Sequence, residues 1–249
     1  MRVLITGAAA GLAQRIALRL AQDGHAIAFT YRRGGTSPDA TLSLLREAGH
    51  SAQAYPVEFL GPEETISAGL QVALAQPVDA LVHAVGPMVV RRFEKTSMQE
   101  YHEMLDGNLR SAVLAAHAVL PAMRERGFGR LVFFGMNGSS VTRPVRALAL
   151  HLAAKAGLVA FARSLALEEA PHGITVNVVE PGDIRHKTLT REDALKMEAG
   201  NPRGRPGTAD DVADAVRFFI AESSDFINGA VLSVTGGLIE PYERNAATS

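Results

Sequence analysis

The sequence predicts an α/β protein in which a doubly wound parallel sheet is covered by helices on both faces. Three observations lead to this fold class. Short apolar segments rich in β-branched residues alternate with longer helical patterns along the chain. The strand-like segments are apolar at successive positions, which is typical of parallel strands buried on both faces. The turn after the first of them, beginning at Gly7, is built from small residues.

Seven segments are predicted as strands, and most of them end at glycine or proline. Right-handed crossovers between parallel strands place helices on both sides of the sheet, which gives a three-layer αβα arrangement. The predicted strands are Arg2–Thr6, Ala26–Tyr31, Ala52–Val57, Ala80–Ala84, Arg130–Phe134, Thr175–Val179 and Val231–Thr235.

The segments between the strands are predicted as helices. Two of them begin with capping boxes, Ser97 with Glu100 and Thr208 with Asp211. Residues 182–207 show little periodicity, and we expect either a substrate lid or a plain surface excursion there. Residues 246–249 are expected to be a frayed end. The predicted helices are Leu12–Asp23, Pro38–Ala48, Glu63–Ala75, Ser97–Arg126, Leu148–Ala170 and Thr208–Ala221.

Length and composition limit the possible functions. A chain of 249 residues is within the size of one undivided α/β domain, so we expect a single domain over residues 1–249. The net charge of −1 predicts no general attraction to nucleic acid or anionic membranes, and we see no window of ~20 apolar residues. The absence of cysteine excludes disulfides and fits a cytoplasmic protein. We expect no metal site, since no histidines and carboxylates are suitably spaced.

The small residues after the first strand form a candidate phosphate-binding turn. Without bulky side chains, backbone N–H groups at a helix N-terminus can approach a phosphate closely. The alternative is a tight turn that binds no ligand. The position at the first strand–helix junction favours a dinucleotide site, a Rossmann feature. Its candidate residues are Thr6, Gly7, Ala9, Ala10, Gly11 and Leu12.

The end of the second strand indicates which dinucleotide binds. NAD-binding proteins usually carry an acidic residue there, which hydrogen-bonds to the ribose hydroxyls. This chain instead has Arg32 and Arg33, with no acid before Asp39. Guanidinium groups favour the 2′-phosphate of NADP. We therefore expect NADP(H) in preference to NAD(H); the alternative is a solvated basic turn.

These motifs and those that follow resemble the short-chain dehydrogenase/reductase family over nearly the whole chain, from Thr6 to Gly237. The similarity is closest to 3-oxoacyl-acyl-carrier-protein reductase-like members. The last glycine of the family's TGxxxGxG turn is Ala13 here. The family's Asn-Asn-Ala-Gly is His83-Ala84-Val85-Gly86, in which we expect His83 to be a structural replacement. By resemblance, further cofactor-binding residues are Glu58, Phe59, His83, Ala84, Gly86, Asn108, Lys155, Pro181, Gly182 and Ile184.

The resemblance also implies a catalytic set, with one departure from the family. Asn108 and Lys155 match the family's proton-relay asparagine and active-site lysine. Four residues before Lys155, where the family has tyrosine, this chain has His151. The family serine has no clear counterpart; we favour Ser139, with Asn137 and Ser140 as alternatives.

Three interpretations of His151 remain open. It is a substitute acid and base, since imidazole exchanges protons near neutral pH. Alternatively, turnover has been lost and the protein is an NADP-binding protein that acts as a binder or sensor. In the third, the acid is another group, such as a water held by Asn108 or a side chain from residues 182–207.

The resemblance implies an NADP(H)-dependent oxidoreductase that acts on a carbonyl or alcohol. The substrate would be a small molecule or a group linked to an acyl carrier, and the arginines Arg91, Arg92, Arg143 and Arg146 could bind its anionic part.

The helices predicted at Ser97–Arg126 and Leu148–Ala170 are rich in alanine and leucine on more than one face. In similar proteins this pair forms a four-helix interface, so we expect a homotetramer or a dimer.

Overall fold

The computed structural model describes residues 1–184 and 189–238. Its centre is one sheet of seven parallel strands in the order β3-β2-β1-β4-β5-β6-β7. This order is the doubly wound Rossmann arrangement, as predicted. The strands are β1 (Arg2–Thr6), β2 (Ala26–Tyr31), β3 (Ala52–Pro56), β4 (Ala80–His83), β5 (Gly129–Phe134), β6 (Ile174–Pro181) and β7 (Val231–Val234).

The helices connect the strands and cover both faces of the sheet. The two predicted capping boxes are present, and each helix begins directly after its capping residue, Ser97 or Thr208. The helices are α1 (Gly11–Gln22), α2 (Asp39–Glu47), α3 (Glu63–Ala73), α4 (Met98–Leu105), α5 (Ser111–Arg126), α6 (Ala149–Glu169), α7 (Arg191–Ala194) and α8 (Ala209–Ile220).

Two predicted segments differ from the structure. The helix predicted over Ser97–Arg126 is interrupted by a π-helical segment, Asp106–Arg110, which separates α4 from α5. The segment at 182–207 contains the short helix α7, which hydropathy periodicity does not reveal in four residues. Residues 246–249, expected to fray, lie outside the described part of the chain.

The two faces of the sheet carry separate apolar layers. One is built mainly on α5 and α6, and the other on α1 and α8. Contrary to expectation, the segment Ala149–His172 is long and apolar enough, by length and composition alone, to cross a membrane. Packing accounts for this composition, since Leu158 and Ala162 of α6 are buried in one core layer with Val176 of β6.

Because all seven strands are parallel, their carboxyl ends meet at one edge of the sheet. The chain winds outward in opposite directions from β1 and β4, which are adjacent, so a crevice opens between their carboxyl ends. Thr6 at the end of β1 lies in register with His83 at the end of β4. The candidate site is built around this point.

Candidate active site

A chain of hydrogen bonds joins β1 to β4 at the crevice. The Thr6 hydroxyl accepts the amide of Ala84 at 3.0 Å and lies 3.0 Å from His83 Nδ1. On the other side of the ring, His83 Nε2 lies 3.0 Å from the hydroxyl of Ser111, which itself donates to the carbonyl of Gly107 at 2.7 Å. Since Ser111 has one hydroxyl proton, Nε2 of His83 donates to it and Nδ1 accepts from Thr6.

His83 is therefore a buried, neutral histidine. Its side chain is 1% exposed. Burial and then the charge of Lys155 lower its pKa to about 3. Both ring nitrogens are satisfied within the protein, and Phe59 packs edge-on against the ring with centroids 5.5 Å apart. His83 and Phe59 were assigned to the cofactor by resemblance. In the structure both are buried and pack against each other beneath the crevice.

The turn between β1 and α1 presents its backbone to the crevice. Gly7 and Gly11 adopt φ values of +72° and +70°, a region that side chains disfavour. The amide of Gly7 donates to the Thr30 hydroxyl, and the Thr41 hydroxyl donates to the carbonyl of Ala8. Helix α1 has no side-chain cap at Ala10 and no acidic residue in its first turn. The first amides of any helix have no intrahelical acceptor. Because no capping side chain accepts from those of α1 either, they suit an anion.

Arg32 and Arg33 follow directly after β2, at the same edge of the sheet. Both side chains are exposed. Within residues 1–184 and 189–238, neither guanidinium forms a hydrogen bond or an ion pair. Glu58 lies half-buried beyond the end of β3, and its carboxylate accepts weakly from the Leu60 amide at 3.4 Å. The basic pair thus remains available to a ligand.

His151 and Lys155 lie one turn apart on α6 and share its buried face, as their spacing predicts. The ammonium of Lys155 donates to the carbonyl of Phe134 at 2.7 Å, and burial lowers its pKa to about 8. Burial and the charge of Lys155 lower the pKa of His151 to about 4, and the backbone carbonyl of Pro87 opposes this shift. His151 is therefore neutral at pH 7, and within the described part of the chain its buried Nδ1 has no hydrogen-bond partner.

Asn108 lies in the π-helical segment and completes this group. Its amide nitrogen donates to the carbonyls of Pro87 and Met104, both at 2.9 Å. Its Oδ1 is buried, and no group in residues 1–184 or 189–238 forms a hydrogen bond with it. A Cβ added to Gly86 would lie 2.7 Å from this oxygen and 3.1 Å from Lys155 Nζ. Two polar side chains thus meet over a glycine, in a space that any larger residue would fill.

Ser139 lies close behind this group, but its hydroxyl is already engaged. The side chain is 1% exposed. Its hydroxyl donates to Oε1 of Glu180 at 2.7 Å and accepts the amide of Met136 at 3.2 Å. Ser140 also binds Glu180, through its amide and its hydroxyl. Asn137, the third alternative, donates to the carbonyl of Leu238 at 3.3 Å.

The turn after β6 closes the crevice from the other side. Gly182 donates its amide to the carbonyl of Val234, and a Cβ at Gly182 would lie 2.8 Å from the backbone of Thr235. Ile184 follows at half-buried depth. Farther along the same connection, Arg191 of α7 forms ion pairs with Asp211 at 3.1 Å and Asp214 at 2.6 Å on α8. These ion pairs hold the segment against the body of the protein.

Four residues that hold the site together were missed by the sequence reasoning: Thr30, Thr41, Ser111 and Glu180. The first three are hydroxyl residues whose partners are distant in sequence, and no local pattern identifies them. Glu180 did carry a signal. It is a carboxylate at the end of the otherwise apolar run through Val178 and Val179, where burial demands a compensating set of donors.

The fold and this edge of the sheet are those of the doubly wound Rossmann class, whose ligands bind in the crevice at the carboxyl ends of the strands. A family model described as "Enoyl-(Acyl carrier protein) reductase" matches residues 7–239. The 3-oxoacyl-[acyl-carrier-protein] reductase MabA of Mycobacterium tuberculosis is 31% identical, covering 95% of this chain and 92% of the relative. The 3-oxoacyl-[acyl-carrier-protein] reductase FabG of Escherichia coli is also 31% identical, with coverage of 94% and 96%.

A solved structure of a variant of actinorhodin polyketide ketoreductase with NADPH superimposes with a TM-score of 0.85. It is 29% identical, and the match covers 96% of this chain and 97% of the other. The chain therefore belongs to the short-chain dehydrogenase/reductase family and is an oxidoreductase of that family.

The two buried histidines predict how stability depends on pH. The pKa of each is lower in the folded protein than the ordinary 6.5. Their contribution is fully present above pH 6.5 and is lost as the pH falls toward 4, at about 1.4 kcal/mol per pH unit for each histidine. His83→Asn should reduce the acid slope of the unfolding free energy by about that amount, measured by urea unfolding between pH 7 and pH 4.

The matched control is His117→Asn on the exposed face of α5. If His83→Asn left the acid slope of the unfolding free energy unchanged, His83 would bind a proton in the folded protein as readily as in the unfolded one. That result would contradict the hydrogen-bond chain described above.

Proposed function

We propose that the protein is an NADP(H)-dependent short-chain oxidoreductase that transfers a hydride to or from a carbonyl or alcohol substrate, with His151 in the acid–base position. The observation that carries this proposal is the convergence of Asn108 and Lys155 on Gly86, with His151 held at the adjacent Pro87 backbone. Within the described residues, His151 Nδ1 and Asn108 Oδ1 are buried without a hydrogen-bond partner. Buried polar atoms without partners are rare in folded proteins and indicate a missing ligand or water.

The residues at the sheet edge fit a dinucleotide. The uncapped first turn of α1 suits the pyrophosphate, and Gly7 and Gly11 allow its close approach. The guanidiniums of Arg32 and Arg33, which have no partner among the described residues, suit the 2′-phosphate that distinguishes NADP from NAD. Lys155 and the turn at Pro181-Gly182 would lie beside the nicotinamide ribose and ring. A related ketoreductase structure contains NADPH, which supports the same choice.

When bound, the nicotinamide would supply or accept the hydride at the substrate carbon. The chain itself handles the proton at the substrate oxygen. Neutral His151 can accept that proton at Nδ1 during alcohol oxidation, since its other ring nitrogen faces the carbonyl of Pro87. In the reverse direction the ring would first take up a proton from solvent at Nδ1 and then donate it to the substrate oxygen. The nearby ammonium of Lys155 disfavours a second positive charge, so the imidazole stays neutral at pH 7. Asn108 Oδ1 is placed to hold a water through which protons reach the solvent.

The substrate we propose is a carbonyl or alcohol compound, free or linked to an acyl carrier. The names of the bacterial relatives support the second form. Of the four arginines considered, Arg91 pairs with Glu100 at 3.2 Å and Arg92 lies 3.9 Å from Glu94. Arg143 and Arg146 have no acidic partner in the described ranges, so they are the better candidates for an anionic group on the substrate.

An NADP-binding protein with impaired turnover remains the second candidate. The observation in its favour is the hydrogen bond from Ser139 to Glu180, which occupies the hydroxyl favoured above as the counterpart of the family serine. Such a protein would bind NADPH and yet fail to reduce a broad panel of carbonyl compounds.

Removing the imidazole tests the role of His151. If the ring handles the substrate proton, His151→Ala should lower kcat by about 10²–10⁴-fold, the usual contribution of acid–base groups, and leave NADPH affinity within about twofold. Steady-state rates on ketones and alcohols and a fluorescence titration with NADPH measure the two quantities. The matched control is His117→Ala, which removes an exposed histidine far from the crevice.

Equal activity in His151→Ala and the wild type would contradict the proposal. An inactive wild type that binds NADPH and gains reductase activity through His151→Tyr would instead support the second candidate.

We also propose that the protein forms a dimer or tetramer through the outer face of α6. In the single chain this face exposes a row of apolar residues at near-heptad spacing: Ala149, Ala153, Ala160 and Leu167. Light scattering should give a multiple of the 26.4 kDa chain mass, and Ala160→Arg should reduce it toward one chain. A wild-type protein of one-chain mass at micromolar concentration would contradict this assembly.

A further inference from the structure

Glu180 is a buried carboxylate beneath the candidate active site. It is 1% exposed and lies next to the last residue of β6. Its Oε1 accepts the hydroxyl of Ser139 and the amide of Ser140, each at 2.7 Å. Its Oε2 accepts the hydroxyls of Ser140 at 3.2 Å and Ser233 at 3.5 Å. Among the described residues, no lysine, arginine or histidine forms an ion pair with it.

The charge of Glu180 is thus balanced by neutral donors alone. A buried anion without a cation requires short, well-directed hydrogen bonds to offset its lost hydration. The two shortest come from Ser139 and Ser140, which form the turn between β5 and α6. The carboxylate therefore determines where this turn lies and where its hydroxyls point.

Ser139 has no proton left to donate to a substrate oxygen in this arrangement. Its single proton is donated to Glu180, and its oxygen accepts the amide of Met136. A hydrogen bond to a carboxylate is roughly twice as strong as one between neutral groups. A neutral substrate carbonyl would therefore lose the competition for the Ser139 proton to Glu180.

We propose that Glu180 is a positioning residue that withholds the Ser139 hydroxyl from the substrate, so that His151 is left to make the hydrogen bond to the reacting oxygen. This inference rests on the proposed function. It assigns Glu180 an inhibitory effect on turnover: the carboxylate orders the turn between β5 and α6 at the expense of one donor to the substrate oxygen.

The decisive experiment is a double-mutant cycle between positions 139 and 180. Glu180→Ala frees the hydroxyl, and kcat should rise about 10-fold or more, since one donor to the developing oxyanion contributes about 10²–10³-fold in a favourable site. Ser139→Ala should then lower kcat at least 10-fold more in the Glu180→Ala background than in the wild type. NADPH affinity, measured in parallel, should change less than twofold in all variants.

Glu180→Gln covers the case in which alanine disturbs folding. The amide keeps the shape of the side chain and an oxygen acceptor for Ser140, but it lacks the charge that holds the Ser139 proton. We expect kcat to rise in this variant also, by less than in Glu180→Ala. If the wild type shows no turnover, activity should appear in one of the two variants.

A second readout is independent of turnover. Ser139→Ala should lower Tm by about 3–12 °C in the wild type, the expected effect of losing one hydrogen bond to a charged group in a chain of this length, and by less in the Glu180→Ala background. This result tests the contact even if the proposed oxidoreductase activity is wrong.

Two outcomes would overturn the inference. One is a loss of kcat on Ser139→Ala that is as large in the wild type as in Glu180→Ala, since the hydroxyl would then already serve the substrate. The other is a failure of both Glu180 variants to raise kcat while they bind NADPH normally. Failure of every variant and of the wild type to bind NADPH would count against the proposed function itself. The Tm comparison would then still test whether Ser139 and Glu180 interact.

Discussion

The site depends on the parallel pairing of β1 with β4 at the point where the winding of the sheet reverses. The pairing places Thr6 opposite His83, and the hydrogen bonds from Thr6 through His83 to Ser111 hold the two strand ends together. The turn at Gly7 and the loop at Gly86 then face one crevice. If this junction opened, the first turn of α1 and the group formed by His151, Lys155 and Asn108 would no longer face a common ligand.

Burial determines the chemistry available in the crevice. Lys155 is buried, and its ammonium disfavours protonation of the nearby imidazole of His151. His151 is therefore a neutral base at pH 7, and among the described residues its Nδ1 has no hydrogen-bond partner. Glu180 supplies a negative charge nearby, but its hydrogen bonds to Ser139 and Ser140 turn that charge toward the protein and away from the crevice.

Much of the fold could be predicted from the sequence because its signals are local. Apolar strand segments alternate along the chain with segments of helical periodicity, and the element boundaries predicted from them lie close to those observed. The capping boxes at Ser97 and Thr208 mark the starts of α4 and α8. The π-helical break at Asp106–Arg110 was not predictable, since one extra residue in a turn hardly alters the apolar period. The pairing of His151 with Lys155 followed from helical spacing alone.

The rest of the site depends on contacts between distant parts of the chain. Ser139 and Glu180 are 41 residues apart, and only the register of β5 with β6 brings them together. The sequence of the loop after β5 could suggest Ser139 as a substrate ligand, although it had no clear counterpart of the family serine. It could not reveal that a carboxylate already holds the Ser139 proton. In the same way, the free state of Arg32 and Arg33 depends on which acids the fold brings near them.

The central claim is that a phosphorylated dinucleotide binds at the β1–β4 junction, with its 2′-phosphate on the arginine pair. Titration calorimetry of the wild-type protein with NADPH and NADH tests it most directly. The account predicts one NADPH per chain, bound about 10-fold or more tightly than NADH, and loss of that preference in Arg32→Ala/Arg33→Ala, since each charged hydrogen bond contributes about 1.5–3 kcal/mol. A well-folded protein that takes up neither nucleotide would contradict it.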